Sequence, residues 1–66
     1  MKGIVKFQDG HAEDILQHVG FVKAGLFVTE SGTYMRTDEV KFYRYVKDFD
    51  VFVDCMDIES VEMEEE

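Results

Sequence analysis

His11-Ala12-Glu13-Asp14-Ile15-Leu16-Gln17-His18-Val19-Gly20 carries two incompatible patterns. Its apolar residues Ala12, Ile15, Leu16 and Val19 recur at i, i+3, i+4 and i+7, the period of one helix face. Asp9 offers an N-cap, Glu13 and Asp14 suit a first turn, and Gly20 suits the position after the last turn. The same segment follows Asp9-Gly10, a strong short hairpin signal, which would make it the return strand of Gly3-Ile4-Val5-Lys6-Phe7. The choice decides the fold class.

The neighbouring segments are clearer. Leu26-Phe27-Val28-Thr29 and Thr33-Tyr34-Met35-Arg36 flank the turn residues Ser31-Gly32 and read as a hairpin. Val40 to Val46 holds Phe42, Tyr43 and Tyr45 and reads as a strand, or as a short helix capped by Asp38. Lys47 to Asp50 is polar enough to turn, Val51 to Met56 is a strand, and Asp57 to Met63 closes the sheet. With strands throughout, the chain is all-β, a small antiparallel sheet or partly closed barrel of about five or six short strands. With helices over residues 11–20 and 38–49 it becomes α+β, in the split β-α-β-β-α-β order.

A length of 66 residues allows one domain and little room for a deep cleft beside a core. Residues 1–63 are expected to form it, with Glu64, Glu65 and Glu66 as an acidic tail. Hydrophobic residues make up 45% of the chain, enough for a packed core. The longest apolar runs are too short to span a membrane. No apolar stretch follows Lys2, so no secretory signal is expected. One cysteine forms no internal disulfide, and the expected compartment is the cytoplasm.

The formal net charge is −8, and its distribution is uneven. Residues 1–47 hold all 7 basic residues and six acids, whereas residues 48–66 hold nine acids and no base. A chain of this sign is not expected to bind nucleic acid directly, because that affinity rests on Lys and Arg. From Asp48 to Met63 the acids alternate with Val51, Phe52, Val53, Ile58, Val61 and Met63, so they ride on ordered elements. The expected partner-binding residues are Asp48, Asp50, Asp54, Asp57, Glu59 and Glu62, with Tyr43, Tyr45 and Phe49 as aromatic anchors. Alternate strand residues are about 6.7 Å apart, close to the spacing of successive phosphates. Pairs such as Asp48 with Asp50, or Asp57 with Glu59, would then occupy a basic groove built for nucleic acid.

Motifs for chemistry are sparse. Asp48, Asp50 and Glu59 match positions 1, 3 and 12 of a calcium loop, but Phe52 and Val53 stand where an oxygen ligand and glycine are needed. His11, His18, Cys55 and Asp14 are the zinc candidates, without Cys-x-x-Cys or His-x-x-x-His spacing. A zinc site would need the fold to assemble it from distant strands, so no cofactor is expected. Cys55 lies between Asp54 and Asp57, which raise a thiol pKa, and its alternation with Val51 and Val53 points it into a core. No phosphate loop and no nucleophile elbow is present, and no catalytic residue is expected.

Lys2-Gly3-Ile4-Val5-Lys6-Phe7-Gln8-Asp9-Gly10 resembles the start of many short proteins of phages and prophages of Gram-positive bacteria. Phe27-Val28-Thr29-Glu30-Ser31-Gly32-Thr33-Tyr34 resembles their following hairpin, and Asp57-Ile58-Glu59-Ser60-Val61-Glu62 their closing strand. Together these stretches cover about a third of the chain. The resemblance implies a β-rich fold, which favours the strand reading of residues 11–20, and a setting in the bacterial host cytosol. It implies no activity. The functional expectation is a non-enzymatic inhibitor of a basic, nucleic-acid-handling bacterial protein. Its sharpest form is an anti-CRISPR protein blocking nucleic-acid loading on a CRISPR effector nuclease. The alternative is a small phage structural or accessory module acting by self-association.

Overall fold

The structure is a computed structural model that describes residues 2–21 and 24–64. Eight strands are present among them, and no helix: β1 (Lys2–Phe7), β2 (Ala12–Asp14), β3 (Gln17–Phe21), β4 (Ala24–Thr29), β5 (Gly32–Arg36), β6 (Phe42–Val46), β7 (Val51–Asp54) and β8 (Ile58–Glu64). The all-β expectation holds, and the α+β order with helices over 11–20 and 38–49 is not adopted. The strands form two antiparallel sheets, in the orders β2-β1-β8 and β3-β4-β5-β6-β7, that do not close into a barrel. Of the expected acidic tail, Glu65 and Glu66 lie outside the described residues.

Residues 11–20 are neither one helix nor one strand. The backbone N–H of Ile15 donates to Gly3 O in β1 (2.9 Å), and that of Leu16 donates to Val28 O in β4 (2.7 Å). The chain therefore changes sheets between these two residues, a corner of the kind that joins packed sheets. The helical period is not realised as one buried stripe. Ile15 packs on the core, while Leu16 and Val19 stay 63% and 58% exposed. The chain returns at Cys55-Met56-Asp57. Cys55 N–H still bonds Phe42 O in β6 (3.0 Å), whereas Asp57 O accepts from Gln8 beside β1 (2.7 Å).

The core lies between the sheets. Val5, Phe7 and Ile58 from one sheet meet Tyr34 from the other and Cys55 from the return crossing, with Ile15, Phe42 and Val61 packed around them. Phe27 is also buried, at 1% exposure. Each large apolar side chain fully buried in this way contributes roughly 1.5–3 kcal/mol. Gly20 and Gly25 face each other across β3 and β4, both at positive φ. A Cβ on Gly25 would lie 2.4 Å from Val19 O, so no larger residue fits that close approach.

Candidate functional site

The aromatic alternation in β6 resolves as its period demands. Phe42 turns to the core, and Tyr43 and Tyr45 turn to the opposite face, half-buried. Asp54 and Phe52 stand across from Tyr43 and Tyr45 in β7. Tyr45 and Phe52 make a tilted ring contact at 5.3 Å. The Tyr45 hydroxyl donates to Asp50 Oδ1 at 2.5 Å, and this carboxylate pushes the phenol pKa up. Asp50 has φ 53°, a left-handed conformation that aspartate tolerates, and it ends the turn Lys47–Asp50. Phe49, at the tip of that turn, is 77% exposed.

Tyr43, Tyr45, Asp48, Phe49, Asp50 and Asp54 thus belong to one hairpin. Asp57 sits on the crossing back to the first sheet. Glu59 is the extra residue of a bulge in β8, because Phe7 pairs with Ile58 and Lys6 with Ser60. Glu62, opposite Ile4, makes a 3.4 Å ion pair with Lys6. A cleft of about 500 Å³ brings Glu59 back beside Asp54, Tyr43, Val40, Phe42 and Met56. Glu62 takes no part in it. The regular row of carboxylates at strand spacing is not formed. Asp48 and Asp50 occupy a turn, and Asp57 and Glu59 a bend and a bulge.

The zinc candidates are dispersed. His18 stacks on Phe27 at 4.8 Å in the second sheet, and Cys55 is buried in the core. Asp14 is exposed on β2, opposite the exposed Ile4. Among the described residues no group of three or more His, Cys, Asp and Glu is placed to hold a metal ion.

One cluster was not anticipated. His11 Nε2 lies 2.8 Å from Glu13 Oε2, and Nδ1 bonds Asp9 Oδ1. The imidazole stacks flat on Phe7, with ring centroids 4.4 Å apart. Glu13 lies opposite Val5 and retains 14% side-chain exposure. It accepts the Ser31 hydroxyl at 2.5 Å and the Ser31 N–H at 3.2 Å, which ties β2 to the β4–β5 turn. These bonds, Ser31 first, hold the Glu13 carboxyl down at about 2. Glu13 and then Asp9 raise the His11 pKa. Glu13, His11 and Ser31 are the residue types of a catalytic triad, but the arrangement is different. The Ser31 hydroxyl bonds a carboxylate and not an imidazole nitrogen, and both His11 nitrogens face carboxylates. The cluster fastens two sheets. The spacing His11-x-Glu13 was the readable signal, since period two puts both on one side of an extended chain, while Asp9 reaches His11 from the preceding turn.

No family model, no curated protein and no solved structure matches this chain. Function is therefore argued from the hairpin and its surroundings. Among the described residues, no helix is long and apolar enough to cross a membrane.

Proposed function

We propose that the protein is a non-enzymatic acidic binding protein that inhibits a basic, nucleic-acid-handling protein in the bacterial cytosol. Its sharpest form is an anti-CRISPR protein that blocks nucleic-acid loading on a CRISPR effector nuclease. One observation carries the reading. Phe49, Val51, Phe52, Val53 and Met56 are all exposed within the same ten residues as Asp48, Asp50, Asp54 and Asp57, and no base follows Lys47. Exposed apolar side chains interleaved with acids suit a partner surface that is basic and partly apolar, where charge steers the encounter and the apolar anchors hold it. The phosphate-spaced row is not carried forward, and the hairpin takes its place.

The test is capture from bacterial lysate at low and moderate salt, with mass-spectrometric identification. The control carries Asp48→Asn, Asp50→Asn, Asp57→Asn and Glu59→Gln. Capture of a basic nucleic-acid-handling protein by the native chain alone, weakening with salt, is the expected result. Capture that survives the four changes overturns the electrostatic part of the proposal.

A second reading, an assembly module that self-associates, is favoured by the open outer edge of β7. It predicts a mass that rises with concentration.

A further inference from the structure

An antiparallel ladder turns the backbone groups of alternate residues toward the neighbouring strand and those of the residues between them away. Cys55 N–H bonds Phe42 O in β6, so Val51, Val53 and Cys55 face β6. The N–H and C=O groups of Phe52 and Asp54 face the other way. The five-stranded sheet ends at β7, and among the described residues no turn or loop backbone bonds these groups. An open edge is ordinarily guarded by lysine, proline, a bulge or a covering loop. The edge at β8 has its bulge at Glu59, the edge at β3 is bent by Gly20 at φ 114°, and β2 is three residues long. β7 carries no lysine, proline or bulge. It reads Val51-Phe52-Val53-Asp54, with all four residues exposed and the three apolar ones at 45%, 38% and 37%.

Charge selects the occupant. Asp48 and Asp50 stand before β7, and Asp54 and Asp57 stand at and beyond its end. A second copy paired antiparallel with Phe52 opposite Phe52 would set Asp50 of each copy against Asp54 of the other, on top of a net charge of −8 per chain. Like charges facing across a ladder are destabilising. A segment with Lys or Arg alternating with apolar residues meets the opposite case. On one face of the sheet its side chains reach Asp54 and the Phe52–Tyr45 pair, and on the other they cover Val51 and Val53.

We infer that β7 takes an extended, basic segment of the partner protein as a sixth strand of the sheet. Main-chain hydrogen bonds at Phe52 and Asp54 supply the pairing, and the flanking carboxylates supply the selectivity. This inference rests on the basic-partner reading above and names the element that does the binding.

The experiment uses the full ¹⁵N-labelled chain and a capped heptapeptide, Lys-Val-Lys-Val-Lys-Val-Lys, at about 50 mM salt to limit screening. A second peptide of the same sequence carries backbone N-methyl groups on alternate residues, which keeps the charge and removes the ladder donors. The expected result is slowed amide hydrogen exchange at Phe52 and Asp54 with the first peptide. Binding of the N-methylated peptide should be weaker by about tenfold or more. Equal binding of the two peptides, or resonance shifts centred away from β7, overturns the strand inference and leaves the basic-partner reading standing. No binding of either peptide overturns both. Slowing at Phe52 and Asp54 that grows with protein concentration, without peptide, assigns the edge to a second copy and overturns the choice of a basic partner.

Discussion

The turn after β1 and the turn after β6 both carry acids, and they use them in opposite ways. Around His11, Asp9 and Glu13 are both engaged by the imidazole, and Glu13 also holds Ser31. Around Phe49, Asp50 accepts one tyrosine hydroxyl, and among the described residues the side chains of Asp48 and Asp54 have no hydrogen-bond or ion-pair partner. The aromatic rings differ in the same sense. Phe7 is buried under His11, whereas Phe49 is 77% exposed. Carboxylates at the first turn close the molecule on itself. Those at the second face outward beside exposed apolar side chains.

The largest effect should come from breaking the closed end. Phe7→Ala removes a buried ring that touches both His11 and Tyr34, and should cost about 3–5 kcal/mol in urea unfolding. For a 66-residue chain that is enough to leave much of it unfolded. A loss under about 1 kcal/mol would mean that Phe7 is not part of the core.

The turn before β6, at the far end of that strand from Phe49, should yield a gain instead. Val40 has φ 61°, a left-handed conformation that a β-branched residue adopts only under strain, and it is 57% exposed. Val40→Gly should stabilise the protein by about 1 kcal/mol, read as a higher urea midpoint at unchanged slope. A destabilised variant would show that Val40 is held by packing.

The pH dependence should separate the two turns further. Glu13, held down at about 2, contributes stability that is complete above 4.5 and drains away as pH falls toward 2. His11, raised above 6.5, contributes stability that is complete below 6.5 and is lost as pH rises through its raised value. The urea midpoint should therefore be highest between about 4.5 and 6.5 and fall on both sides. His11→Gln should abolish most of the fall on the alkaline side. An unchanged profile in this variant would show that the His11 bonds add nothing to stability.

The smallest effect on stability belongs to the tip of the open hairpin. Phe49→Ser should move the unfolding free energy by no more than about 0.5 kcal/mol, as surface changes generally do. The same change should weaken capture of the basic partner. A variant that binds unchanged would remove Phe49 from the interface.

Much of the fold was legible along the chain. The run from Leu26 to Arg36, with Ser31-Gly32 between its halves, forms β4 and β5 within two residues of the expected bounds. Cys55 is buried as expected, but Val51 and Val53, whose alternation with it carried that expectation, are exposed. The segment 11–20 was less legible, because each half satisfies its backbone on a different sheet and no local pattern records a change of partner. The hairpin acids were legible as a group, but their spacing was not. Asp48 and Asp50 fall in a turn whose left-handed residue breaks the period of two.

Sequence alone determined that most of the chain is strand and set the sign of the surface. Short β-branched and aromatic runs between turn residues favour burying their apolar sides in sheets, and nine acids without a base after Lys47 are acidic in any fold. Tertiary structure decided where the chain changes sheets, that His11 and Glu13 reach Ser31, and that β7 is left without a neighbour on its outer side. Each of these depends on which distant strands meet. That is set by the packing of the whole core, and no local stretch of residues encodes it.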